Sequence, residues 1–461
     1  MNKSHYILKT FFISLLSFVL INPIFSNEKV YGPFPVTLKG YSGDCTNTVS
    51  YSGQIARHVQ HDSLKKLSSK GDLSEMMAFF DGSEKNKAII APASKDDFVI
   101  KQTLLNDISS GKNLSGKAYK GVVNGWPNGM TGAEILEFMI LKASEAEGGV
   151  DVSVGYNYPQ LISKSAMGLV FYNQAVDNYL DEKLEADTKP NSKPYKDGKC
   201  YTGKEHVWDE AFGYWGAAAH SLTLSAEQNY NIAKKKDIVS ADYNKDGVVD
   251  LKSEYVFAHA YYASSFDKGG KTNYFNTITQ AFLDGRNLIT AANGEDLTNA
   301  DRSILKSYAW QIESNWEKVI AEAVFKYAGE TYETLVKLEN ASDEDLSKLF
   351  GKYLKYWGEL KGFSIALQAG KNNLGETAVK LNRMVGYGPM LMDETQVIGI
   401  DSDLNYVMGK NYSWNENKLH MLKIQKLMVD KFGVKARSHD QLADISDLAS
   451  KLGSSESAEN D

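Results

Sequence analysis

The densest chemistry in the 461-residue chain lies in Thr202-Gly-Lys-Glu205-His206-Val-Trp208-Asp209-Glu210-Ala-Phe212-Gly213-Tyr214-Trp215. If the segment is helical, His206 and Glu210 stand one turn apart on one face, with Asp209 at its edge. Trp208, Phe212, Trp215, Ala219 and Leu222 form the opposite, apolar face. No lysine or arginine occurs from Glu205 to Ala233, so the helix has no basic solvent face and is expected to be buried all round. Buried acids and imidazoles need a partner, a proton or a cation. His206 and Glu210, joined by Asp209 and Glu205, therefore form a candidate metal set, for which one imidazole with carboxylates makes Fe or Zn the likelier choices. The competing reading has these acids and His206 bonded to Lys, Arg or Tyr on neighbouring helices.

A second cluster reads as a calcium loop. Asp242-Tyr-Asn244-Lys-Asp246-Gly247-Val248-Val249-Asp250 places oxygen ligands at positions 1, 3, 5 and 9, the Val248 carbonyl at 7 and glycine at 6. The twelfth position holds Ser253, and Glu254 falls one residue later as the substitute last ligand. Its expected role is structural. The competing reading is a solvated turn that binds nothing.

Other signals are weaker. His58 and His61 flank polar residues and read as exposed, and His259, in an aromatic run, reads as a core histidine. Haem finds no support in the sequence. No His-Glu-x-x-His, Gly-x-Ser-x-Gly, Walker or dinucleotide-binding pattern occurs. With 51 basic against 58 acidic residues, the net charge of −7 argues against a nucleic-acid partner.

Residues 1–26 read as a signal peptide, with Lys3 and Lys9 before an apolar run from Phe11 to Ile21 and a cleavage position near Ser26. The expected location is the periplasm or the outer cell surface, with no transmembrane span once the signal is removed. In an exported chain the only two cysteines, Cys45 and Cys200, read as a disulfide.

Nine prolines and recurrent capping boxes (Thr131/Glu134, Thr202/Glu205, Ser342/Asp345) predict long helices. The periodicity places helices over 53–69, 73–81, 96–109, 131–146, 158–184, 203–233, 251–266, 272–293, 298–328, 342–369, 376–386 and 415–433. The pattern Trp-x-Glu-x-x-Gly-aromatic occurs at Trp208–Tyr214 and again at Trp357–Phe363. It predicts two helical bundles, each pairing a buried acid with a glycine that lets a neighbouring helix approach. The expected organisation is an extended segment over 27–52, a first bundle over 53–240, the calcium-like loop over 241–254, a second bundle over 255–435 and a flexible tail over 436–461. The fold class is all-α.

The site segment, with Tyr51-Ser-Gly-Gln54 and Arg57, Lys164 to Gly168 running into Phe171–Ala175, and Trp357-x-Glu359-x-Lys361-Gly362-Phe363, resembles an exported bacterial family labelled domain of unknown function 4856, which is similar to imelysins. The resemblance covers most of residues 50–430. It implies an imelysin-like pair of helical bundles linked to iron acquisition, acting on a metal ion or iron complex beside an outer-membrane receptor or another iron-uptake protein. The imelysin motif Gly-x-His-x-x-Glu is only partly met, because Lys204 precedes His206 and Asp209 stands where the motif has Glu. The leading expectation is an exported metal-binding protein. One alternative is a metal-dependent hydrolase or peptidase with Glu210 as base. The other is a metal-free structural or protein-binding module, which an Arg or Lys in the place of the metal would favour. Glu359 is the second bundle's counterpart of Glu210.

Overall fold

A computed structural model describes residues 29–83, 86–372 and 374–452. The signal-peptide segment lies outside the described residues. The chain is 57% helix and 5% strand, so the all-α expectation holds. In chain order the helices are α1 Ser52–Leu67, α2 Leu73–Asp81, α3 Gly132–Glu145, α4 Tyr158–Ala166, α5 Gly203–Trp215, α6 Ala226–Ala233 and α7 Ile238–Ala241. They continue with α8 Ala258–Asp267, α9 Tyr274–Ala291, α10 Asn299–Leu338, α11 Asp343–Ala366, α12 Glu376–Val385, α13 Trp414–Phe432 and α14 Ile445–Leu452. Two antiparallel ribbons complete the described elements, β1 (Val150–Asp151) with β2 (Tyr156–Asn157) and β3 (Gln396–Ile400) with β4 (Tyr406–Gly409).

All three predicted capping boxes sit at helix starts, at α3, α5 and α11, where each serine or threonine accepts the N–H three residues on. Helix α4 continues through π-helical turns to Tyr179, as the 158–184 periodicity predicts. Two predictions fail. The 203–233 helix breaks at Gly216, whose φ of 81° closes α5 in a left-handed cap. The 96–109 helix is irregular apart from a short 3-10 turn at Leu105–Asp107, because Ile100 pairs instead with Val249 in a parallel bridge.

One hydrophobic core runs through the helices. Helix α1 packs with α4 and α5, and α5 with α9; α10 packs with α9, α11 and α13. The contacts of α4 with α11 and of α9 with α10 join these groups. The repeated glycines work as their pattern predicts. A Cβ on Gly213 would fall 2.7 Å from Tyr51 Cβ, where α5 meets the start of α1, and one on Gly362 would fall 2.5 Å from Lys164 Cβ, where α11 meets α4. The two tryptophans of the repeat also behave alike, Trp208 Nε1 donating to the Phe282 carbonyl and Trp357 Nε1 to that of Val385. The segment after α13 is pinned by Glu322, whose carboxylate accepts the N–H groups of Lys435, Ala436 and Arg437.

Residues 29–51 run without helix or strand along α5. Tyr31 stacks on Phe212 with ring centroids 3.7 Å apart, and Cys45 is disulfide-bonded to Cys200 just before α5. Closing 155 residues of sequence contributes up to about 5 kcal/mol in the chain-entropy model.

At Gly168 the helices meet so closely that a Cβ would land on the backbone of Ala366 in α11. Gly168→Ala is therefore expected to lower the unfolding free energy by about 2 kcal/mol, measured by urea denaturation.

Candidate functional site

Helix α5 carries two separate charge systems. Glu205 and Asp209 face α9 and the N-terminal segment, where Arg286 meets both. Its Nη1 lies 3.3 Å from Glu205 Oε1 and its Nε 3.0 Å from Asp209 Oδ1, with all three side chains fully buried. Further hydrogen bonds surround the three groups. Tyr31 donates its hydroxyl to Asp209 Oδ1 at 2.8 Å and the Ser50 N–H bonds Oδ2 at 2.9 Å. Thr37 and the Thr202 N–H hold Glu205, while Thr290 accepts a second bond from Nη1 and Thr48 one from Nη2. Burial pushes the Asp209 carboxyl up to about 6, against the pull of Arg286, Tyr31 and the Ser50 N–H. The four predicted metal residues therefore do not converge. A guanidinium occupies the place a metal would have taken beside Glu205 and Asp209. Arg286 was legible as a single charge on the otherwise apolar Phe275–Ile289 face, but only its burial identifies its partners.

His206 and Glu210 do come together on the other side of α5, His206 Nε2 lying 3.5 Å from Glu210 Oε2. Gln54 of α1 donates to Glu210 Oε1 at 2.8 Å, and Tyr179 at the end of the π-helical stretch also bonds this carboxylate. The His206 ring packs against those of Tyr195 and Tyr201, with centroids at 3.9 and 4.9 Å. Burial lowers its pKa to about 4 despite the neighbouring Glu210, so the ring is neutral at physiological pH. Its Nδ1 is buried without a hydrogen-bond partner among the described residues.

Cations surround this pair. Lys112 and Lys117, on the loop after α2, and Lys183, after the π-helical stretch, are half-buried. Burial lowers all three; Arg57 of α1 adds to this for Lys112 and Lys117, and Glu210 opposes it for each. Lys196 adds a further positive field at His206. Lys183 Nζ lies 4.0 Å from the Tyr179 ring centroid and Lys189 Nζ 4.8 Å from that of Tyr195. The loop carrying these groups is fixed by Lys204, whose buried ammonium donates to the carbonyls of Lys183, Glu185 and Thr188. Lys204, two residues before His206, thus anchors the 183–188 loop to the start of α5. The sequence reading missed these cations because they come from three segments far apart in the chain.

The second repeat is built differently. Glu359 lies 3.8 Å from Lys164 of α4 rather than beside an imidazole, and Lys361 turns away to the Gly386 carbonyl. His58 and His61, expected at the surface, are buried. His58 Nε2 bonds the Gly213 carbonyl, and His61 bonds Ser163 and Asp62. Their polar neighbours in sequence point elsewhere on α1, which is buried on nearly all sides. His259 is in the core, as expected, beside Tyr172, Trp316 and Phe363.

In the calcium-like loop the carboxylates serve backbone N–H groups. Asp242 accepts from Asp246 and Gly247, Asn244 from Asp246, and Asp246 from Val248. Glu254 swings inward, accepting from Asp250 N at 2.7 Å and Asn244 N at 3.3 Å. Asp250 accepts from Gln102, and Lys101 Nζ sits 3.1 Å from Asp246 Oδ2. The predicted helix at Leu251 starts only at Ala258. Among the described residues, no group of three or more His, Cys, Asp or Glu side chains is arranged to hold a metal ion.

The site generates a pH test. The folded pKa of His206, about 4, lies below the ordinary histidine value near 6.5, so the unfolded chain takes up the proton first as pH falls. The stability held by neutral His206 is present above pH 6.5 and lost as pH falls toward 4. His58, lowered by burial to about 3, acts with the same sign. Asp209 acts oppositely, since its raised pKa makes stability fall as pH rises from about 4 to 6. His206→Gln is expected to shrink the loss of unfolding free energy between pH 7.5 and 5.0 by about 2 kcal/mol, read from denaturant curves at the two pH values.

Residues 150–354, from β1 into α11, match the family model described as Domain of unknown function (DUF4856). No curated protein and no solved structure matches the chain.

Proposed function

We propose that this member of the DUF4856 family is an exported binding protein that captures a small anionic ligand in the His206–Glu210 pocket. One observation carries the reading: Lys112, Lys117 and Lys183 each feel Glu210, Arg57 and Lys196 add to the positive field, and neutral His206 packs against two tyrosine rings. Such a field repels a bare divalent cation and attracts carboxylate or phosphate groups. Iron enters through the resemblance to imelysins. In this reading it arrives as cargo, an anionic ferric chelate whose outer carboxylates meet the lysines while Glu210 and His206 face its centre. Hard ferric iron suits oxygen donors, and Glu210 and Tyr179 supply them. Export is supported by the Cys45–Cys200 disulfide, and no described helix is long and apolar enough to cross a membrane.

The test is calorimetric titration of the purified chain with ferric citrate, and separately with zinc chloride. Ferric citrate is expected to bind with micromolar or tighter affinity and zinc chloride at least tenfold more weakly. Lys112→Glu/Lys183→Glu is expected to abolish chelate binding. Equal affinity for zinc chloride, or a charge-reversed pocket that binds as the parent does, would sink the reading.

A structural calcium at Asp242, Asn244, Asp246, Val248, Asp250 and Glu254 is a second proposal, favoured by the inward turn of Glu254 that compensates for Ser253 at position twelve. Calcium would have to displace Lys101 from Asp246. Calcium at a hundred times its Kd is then expected to stabilise the chain by about 2.7 kcal/mol, and Lys101→Met to bind it more tightly. A melting temperature insensitive to calcium in both proteins contradicts the proposal.

A further inference from the structure

The Tyr195–Cys200 segment covers the His206 ring through Tyr195, yet few bonds hold it to the rest of the chain. Among the described residues its backbone hydrogen bonds are local, from Tyr195 N–H to the Tyr201 carbonyl and from Lys199 N–H to that of Lys196. The stronger anchors lie outside it. Lys204 holds the carbonyls of Lys183, Glu185 and Thr188. Asn191 accepts from Thr202 and donates to the carbonyls of Ile289 and Glu295. What ties residues 195–200 to a distant part of the chain is the Cys45–Cys200 disulfide.

The other end of that tie is firmly held. Asn47, two residues after Cys45, accepts the N–H groups of Phe34 and Val49 at its Oδ1. Thr48 accepts from Arg286, and the Ser50 N–H donates to Asp209. The disulfide therefore connects the cover of His206 to the buried Arg286 frame. Its two sulfurs differ in access, because Cys45 is half-buried between exposed Asp44 and Thr46 whereas Cys200 is 8% exposed. An attacking thiolate needs a reachable sulfur, and here that sulfur is Cys45 Sγ.

From this arrangement we infer that the Cys45–Cys200 disulfide is a redox latch on the His206 pocket, opened by a dithiol reductant. One thiolate of the dithiol attacks Cys45 Sγ, and Cys200 leaves as a thiolate that takes up a proton. The second dithiol sulfur, having lost its proton, attacks its partner sulfur in the mixed disulfide. Cys45 then leaves as a thiolate and is protonated in turn. The protein gains two electrons and two protons, and the dithiol is oxidised to its own disulfide. With the tie broken, the 195–200 cover keeps only its local bonds, swings off His206 and lets the ligand go. The release step rests on the proposed function, and the uncovering of His206 does not.

The test labels histidines with diethyl pyrocarbonate in the full chain, either oxidised or reduced with dithiothreitol, alkylated and freed of reductant. Peptide mass spectrometry reads each histidine separately. Reduction is expected to speed His206 modification by roughly tenfold or more. Exposed His439 is expected to label at one rate in both forms, and buried His58, His61 and His259 to stay unlabelled. Cys45→Ser/Cys200→Ser, which carries no alkyl group, is expected to match the reduced chain. Ferric citrate is expected to bind the reduced chain roughly tenfold more weakly than the oxidised one. Equal His206 labelling in the two forms overturns the inference, as does a chelate affinity unchanged by reduction. Labelling of His58, His61 and His259 on reduction overturns it as well, because the disulfide would then hold the whole fold. An oxidised chain that binds no chelate removes the proposed function alone, and His206 labelling still decides the latch.

Discussion

The buried pairing of Arg286 with Glu205 and Asp209 is the constraint on which the rest of the site depends. It ties three parts of the chain together: α5 through its two acids, α9 through Arg286, and the N-terminal segment through Tyr31, Thr37, Thr48 and Ser50. One guanidinium against two carboxylates leaves an excess negative charge in a fully buried place. It is tolerable only because neutral donors bond both carboxylates. Removing any one of them would strand a buried charge, so the network specifies the register of α5 more than it adds stability. With α5 fixed in that register, His206 and Glu210 are turned to the opposite side and cannot be joined by the other two acids.

That division of labour changes the chemistry of the helix. Four potential ligands in six residues suggest a metal site when read along one strip of sequence. In three dimensions two of them are structural, and the remaining pair faces a wall of lysines. The wall is positioned by Lys204, buried beside the helix start with its charge spread over three carbonyls. The disulfide to Cys200 holds the same region from the other side. The pocket is thus the product of a rigid frame on one side of α5 and an anchored loop on the other.

Much of the fold was legible because its signals are local. Capping boxes, the apolar periodicity of α9 to α11, and the repeated Trp-x-Glu-x-x-Gly pattern each rest on residues close in sequence. The errors arise where distant residues decide. Gly216 sits in the small-residue run Gly-Ala-Ala-Ala that continues a helical pattern, and its left-handed conformation is set by packing against Phe257 and His58. Phe98 and Ile100 lie two apart, the spacing of an extended segment that the helix reading overlooked, and find partners across the chain, at Tyr255 and Val249. His58 and His61 lie among polar neighbours, and only the burial of nearly all of α1 shows that they are interior. In the site, His206 and Glu210 were found by spacing. Arg286 and the lysine wall come from elements that no spacing rule connects to α5.

The most direct test of the account is a crystal structure of the chain soaked in ferric citrate, with anomalous data collected at the iron edge. The account predicts an iron peak beside Glu210 and His206, with chelate carboxylates on Lys112, Lys117 or Lys183 and with Arg286 still bonded to Glu205 and Asp209. Iron held by Glu205 or Asp209 in place of Arg286, or no iron in the pocket at saturating chelate, would contradict it.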